Sequence, residues 1–151
     1  MQTRREVLKR SGMVAALLLG AGLLPGAALA YQKNAFEAKS MEDAFKALGL
    51  PMPVESAEVM LTAPDIAENG AVVPMTMASS LSGVKKMLLL VEKNPSPLIA
   101  QFMVNPAVDI QYQTRAKMGE SCDVYAVAVM ENGKTFFARK EVKVTLGGCG
   151  G

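Results

Sequence analysis

Histidine and tryptophan are absent from this 151-residue chain, cysteine occurs only twice, and aromatic residues make up 5%. Without His there is no Ser-His or Cys-His nucleophile pair and no imidazole acid–base group. Two Cys cannot supply a Cys₄ zinc site or the usual four-Cys iron–sulfur ligand set. No metal and no cofactor are therefore expected, and the chain does not read as an enzyme. Acidic and basic residues are scattered, with no carboxylate pair whose separation can be read, so no acid–base couple is assigned. The length suits one domain and is short for two.

What is present begins with an address. Residues 1–30 carry a basic start (Arg4, Arg5, Lys9, Arg10), an apolar run from Met13 to Leu24, and the small-residue end Ala28-Leu29-Ala30. That order is the pattern of a cleaved signal peptide, with the mature chain starting at Tyr31. The apolar run falls short of the roughly 20 residues a membrane span needs, and Gly20, Gly22 and Pro25 dilute it. Thr3-Arg4-Arg5-Glu6-Val7-Leu8-Lys9 resembles the twin-arginine export motif, with Val7 the weaker match at its aliphatic position. Such signals export folded proteins, which places this one in the periplasm. With no cofactor ligands in view, a partner bound before export is the better reason for folding first.

The whole chain has a formal charge of +2. The leader holds four Lys or Arg and one acid, so removing it leaves twelve basic and thirteen acidic residues, a net of −1. No basic surplus remains to neutralise phosphates, and no Lys/Arg-rich run is interleaved with aromatics. Nucleic acid and membrane surfaces are not expected partners.

From Tyr31 the pattern reads as one short helix followed by strands. Ser40 is a capping residue with Asp43 three positions on. Met41, Ala44, Phe45 and Leu48 follow i, i+3, i+4, i+7, and Gly49 and Pro51 stop the element, which predicts a helix over 41–48 docked by its apolar face. Strands are predicted near 56–62, 72–78, 85–92, 98–104, 108–115, 123–130 and 135–146, separated by Pro, Asn, Asp and Gly breaks such as Pro64-Asp65 and Asn105-Pro106. Met87 to Val91 is continuously apolar, as a buried central strand would be. Asn132-Gly133 predicts a two-residue type I′ hairpin. Seven short strands at regular spacing predict an all-β, immunoglobulin-like β-sandwich over 31–146, with the one N-terminal helix.

The last residues, Leu146-Gly147-Gly148-Cys149-Gly150-Gly151, set a cysteine between glycine pairs directly after a strand. Glycine has the largest backbone freedom of any residue, so packing cannot hold such a tail. Cys is usually among the most buried residues, and burial is not available to Cys149. Residues 147–151 thus read as a flexible arm that carries a thiol roughly 10 Å beyond Leu146, at about 3.3 Å per residue. With no His to lower its pKa, the thiol relies on another protein's site to react. That describes a carrier better than a catalyst.

The terminal motif, the leader, the length and the β-rich body resemble the SoxY family, the sulfur carrier subunits of bacterial thiosulfate-oxidising systems. The resemblance implies that Cys149 is the covalent attachment point and that Gly147, Gly148, Gly150 and Gly151 form its swinging arm. It implies a heterodimer with a leaderless β-sandwich subunit, SoxZ. It also implies a haem-containing enzyme that conjugates thiosulfate to the cysteine, a hydrolase that releases sulfate, and, in some organisms, a sulfane dehydrogenase.

Other residues admit plainer readings. Cys122 is expected to be a buried, inert thiol. A Cys122–Cys149 disulfide would block the carrier and fits only an off-pathway state. Met75 and Met77 share one strand face and have the M-x-M look of a copper site, but without His or a nearby Cys core packing is expected. Lys85-Lys86 and Arg139-Lys140 are expected to be solvated pairs. The alternative function is a structural or binding module whose Cys149 forms an intermolecular disulfide.

Overall fold

Ser40 and Gly49 close the two ends of a helix. The computed structural model describes residues 33–105, 107 and 109–145. After a helical turn at 33–36, α1 runs Met41–Leu48, as predicted. The Ser40 side chain accepts from the Asp43 N–H at 3.1 Å, satisfying one of the helix's free donors. Gly49 sits at φ 65°, a left-handed conformation that glycine adopts without a Cβ penalty. There its N–H reaches the Lys46 carbonyl and the Leu50 N–H reaches that of Phe45, a Schellman ending.

Nine strands follow among the described residues: β1 Val54–Glu55, β2 Val59–Thr62, β3 Ile66–Ala67, β4 Val73–Ser79, β5 Val84–Val91, β6 Leu98–Met103, β7 Gln111–Ala116, β8 Cys122–Met130 and β9 Thr135–Val144. Seven have four residues or more and correspond to the seven expected. The two-residue β1 and β3 were not expected. The 56–62 prediction is cut by a turn in which the Val59 N–H meets the Ser56 carbonyl, and β1 falls before it. The 108–115 strand starts later, at Gln111.

The strands form an all-β, immunoglobulin-like sandwich. One sheet runs β1-β9-β8-β5-β6 with β3 also on β9, and the other runs β2-β4-β7. Between them lies a core of Val73, Met75, Met77, Met87, Leu89, Val124 and their neighbours. Alternate residues of the large sheet, Leu88, Leu90, Val127 and Val129, face outward under Ala44, Phe45 and Leu48 of α1. Coverage on both faces explains why β5 is apolar without alternation. Pro74 is tolerated within β4 because β2 pairs only Thr76–Ser79, so its missing N–H lies outside that ladder.

The β8–β9 hairpin corrects one expectation. The Gly133 N–H donates to the Met130 carbonyl and the Met130 N–H to that of Lys134, with Gly133 at φ 82°. The loop is thus Glu131-Asn132-Gly133, a turn followed by a left-handed glycine bulge, rather than a two-residue type I′ turn. The Asn132 side chain accepts from the Lys134 N–H at 3.0 Å, which favours the longer loop.

On its outer edge β9 carries two short parallel partners. Val54 and Glu55 pair with Phe136 and Phe137 near its start. Ile66 and Ala67 pair with Lys143 and Val144 at its end. The second pairing lies where the chain leaves the sandwich.

Candidate functional site

Arg4, Arg5, Gly147, Gly148, Cys149, Gly150 and Gly151 lie outside the described residues. The site is therefore built from the structure that leads up to the terminal motif. Four polar contacts converge on Lys143 and Val144, the last two residues of β9, and on Thr145, the next residue along. The Lys143 N–H donates to the Asp65 carbonyl at 3.0 Å, and the Thr145 N–H to that of Ala67 at 3.1 Å. Val144 donates its N–H to Ser121 Oγ at 2.8 Å. The Thr145 hydroxyl donates to the Glu68 carbonyl at 3.1 Å. Lys140, earlier on the same strand, reaches across to Asp65 Oδ1 at 2.9 Å and to the Ala63 carbonyl at 2.7 Å.

Residues 63–68 thus form a strap across the end of the last strand. Pro64 has no N–H and turns the chain after β2. Asp65 supplies a carbonyl to the strand and a carboxylate to Lys140. Ala67 is buried in the core while Ile66, its neighbour, is 58% exposed. The hydrogen bond from Lys140, followed by its charge, holds the Asp65 carboxyl below its ordinary pKa. Without the strap, the final carbonyl and amide groups of β9 would face solvent on that edge.

Cys122 opens β8 opposite Val142, three residues before Thr145. Only 6% of it is exposed, and its side chain belongs to the core between the sheets. Burial pushes its thiol pKa up, against a smaller opposing pull from the Lys93 backbone hydrogen bond. A buried thiol with a raised pKa is a poor nucleophile. Beside it lies a surface hollow of about 550 Å³, lined by Lys93, Ser121, Cys122, Asp123, Arg139 and Lys140 among others. Its cations are occupied: Arg139 contacts Asp123 at 3.2 Å, Lys140 contacts Asp65, and Lys93 contacts Glu120 at 3.7 Å. The hollow therefore offers no concentration of positive charge to an anion.

Met75 and Met77 do share a face, as their spacing predicts, and both are packed in the core. Of the two charge pairs, Arg139 and Lys140 are engaged as described. Lys85 is exposed and Lys86 half-buried, and burial followed by the Lys85 charge lowers the Lys86 pKa. Among the described residues no helix is long and apolar enough to cross a membrane.

Sequence reasoning missed the strap and the roles of Ile66, Ser121 and Thr145. Pro64-Asp65 marked a break, but a two-residue strand has no periodicity to detect.

The family model described as "Sulfur oxidation protein SoxY" matches residues 45–149, a span ending on Cys149. Among solved structures, the sulfur carrier protein SoxY from Chlorobium limicola f. thiosulfatophilum is 35% identical. That match covers 71% of this chain and 97% of the other, with a TM-score of 0.63. A superoxide reductase (neelaredoxin) from Ignicoccus hospitalis is 16% identical over 57% of this chain and 79% of its own, with a TM-score of 0.47. Fibronectin(III)-like modules of Clostridium thermocellum CbhA are 20% identical over 56% of this chain and 94% of theirs, with a TM-score of 0.42. A search of curated proteins finds no match.

Proposed function

The chain belongs to the SoxY family of sulfur oxidation proteins, and from that premise we propose that it is a sulfur carrier whose cargo is bound covalently through Cys149. The observation that carries the assignment to Cys149 is at the other cysteine. Cys122 is almost wholly buried against the core with its thiol pKa raised, which favours the terminal thiol as the attachment point. Gly147, Gly148, Gly150 and Gly151 give that thiol a slender arm without side chains, suited to a narrow cleft of another protein.

In this reading the chain supplies one sulfur atom, and partner enzymes supply the catalytic groups and redox cofactors. A haem-containing enzyme joins thiosulfate to the thiol: a sulfur–sulfur bond forms, a proton leaves the thiol, and the haem centres accept two electrons. A hydrolase then uses water to cleave the outer sulfur–sulfur bond, releasing sulfate and leaving a persulfide on Cys149. A sulfane dehydrogenase is the candidate for oxidising the remaining sulfur. A SoxZ-like β-sandwich subunit completes a heterodimer. The twin-arginine leader, with Arg4 and Arg5, exports the folded pair to the periplasm, where cleavage after Ala30 frees the mature chain.

The two cysteines separate by mutation. In a reconstituted thiosulfate-oxidising system, Cys149→Ser is expected to abolish turnover with no change in thermal stability, while Cys122→Ala keeps turnover and loses about 1 kcal/mol of stability, the usual scale for a small core truncation. Turnover by Cys149→Ser, or its loss only in Cys122→Ala, would contradict the assignment.

A further inference from the structure

The strap fixes the point from which the arm's reach is counted. Thr145 is held to it by a backbone bond at Ala67 and a side-chain bond at Glu68, and the preceding residue is held by Ser121. Cys149 lies four residues further along. Fully extended, four residues span roughly 13 Å. Any protein whose active site takes in the Cys149 sulfur must therefore bring the rim of its cleft down onto the surface around Thr145. The arm is too short for the two bodies to stay apart.

That surface is formed by the strap. The Asp65 and Ala67 carbonyls accept from β9 and Thr145, the Glu68 carbonyl accepts from the Thr145 hydroxyl, and the Asp65 carboxylate is paired with Lys140. What it presents outward is Ile66, paired with Lys143 two residues before Thr145 and 58% exposed. A large apolar side chain standing clear on a two-residue strand contributes nothing to the core. Buried under a partner, its exposed apolar area would leave water and favour the complex. A well-packed apolar anchor encircled by polar neighbours is the usual form of an interface hot spot. Here the neighbours are the Asp65–Lys140 pair, Lys143 and Glu68.

We propose that Ile66 and the strap around it form the docking collar for enzymes that act on Cys149, the Ile66 side chain seating against an apolar patch at the mouth of the enzyme's cleft. The inference rests on the Cys149 carrier reading and adds to it a place of contact. One surface then serves every enzyme in the sequence, since each meets the same short arm at the same root. The strap is also a rigid platform, so an enzyme that grips Ile66 fixes the arm's origin relative to its own active site.

The test is steady-state sulfate release by the system's hydrolase from full-length protein loaded with thiosulfonate at Cys149. Ile66→Asp is expected to raise KM at least tenfold and leave kcat within twofold. The hydrolase would still cleave an adduct that arrives, but encounter would lose its anchor. Met103→Asp is the control, since Met103 is equally exposed at 59% but lies on β6, at the opposite edge of the large sheet. It is expected to leave both constants unchanged. Ile66→Ala, which introduces no charge, is expected to give an intermediate KM. Alkylation of unloaded Cys149 by iodoacetamide should proceed at one rate in all these variants. An Ile66→Asp protein with the KM of the Met103→Asp control would overturn the proposal, as would a rise in KM accompanied by slower alkylation, which would point to a disturbed arm. Sulfate release from a Cys149→Ser chain put through the same loading treatment would instead overturn the carrier reading on which the proposal rests.

Discussion

At Cys122 the protein keeps a sulfur atom out of reach, while at Cys149 it places another among glycines. Composition shows two cysteines and nothing of this difference. Their neighbours show more. Glu120-Ser121-Cys122-Asp123 enters an apolar strand, and the structure puts the thiol in the core opposite Val142. Burial raises its pKa, so ionisation opposes folding. The unfolded chain releases this proton near the ordinary thiol value of about 8.5, below the folded value. Stability from this group is therefore intact at neutral pH and falls as pH rises above about 8.5. Thermal denaturation across that range should show wild type losing more stability than Cys122→Ala. Parallel losses in the two proteins would contradict the role given to the buried thiol. Met75 and Met77 were legible for the same reason as Cys122: alternation places both on one strand face, and a chain with no His offers them no companion ligand.

The elements that were legible are those long enough to show a period. The helix over 41–48 was readable to the residue because its caps are local chemistry, Ser40 on the Asp43 N–H and Gly49 in the left-handed region. Seven strands were readable from runs of four residues or more. The strap was not, because β3 is two residues long and its pairing with β9 joins positions 77 apart, as in Ile66 with Lys143. The hairpin was half readable: Asn132-Gly133 marks its place, but the turn begins one residue earlier than the dipeptide suggests. Within the strap, the Asp65–Lys140 contact has a pH signature. Lys140 holds the Asp65 carboxyl below the ordinary carboxylate value of about 3.9. A lowered carboxyl pKa favours the folded state above the unfolded value, and that contribution is lost as pH falls through the folded value. Lys140→Met should thus move the Asp65 titration upward in an NMR pH series. The stability gap between the variant and wild type should narrow as pH falls below about 4. An unmoved Asp65 titration would contradict the contact.

Across the described residues the two sheets and the helix bury Met75, Met77 and all but 6% of Cys122. The large sheet is covered inside by β2-β4-β7 and outside by α1. Its last strand is tied down as far as Thr145. Beside Cys122 the cations Lys93, Arg139 and Lys140 are each paired with a carboxylate. The proposed attachment point could be read from sequence as a cysteine flanked by glycine pairs. The strap around Thr145 could not, because it depends on long-range pairing. Attachment of sulfur intermediates at Cys149 is tested most directly by intact-mass and peptide-mapping spectrometry of the protein, isolated from the periplasm without reductant after thiosulfate feeding. A mixture of sulfur adducts confined to the Cys149 peptide is expected. Adducts on Cys122, a Cys149–Cys149 disulfide as the sole modified form, or no adduct during active oxidation would contradict it.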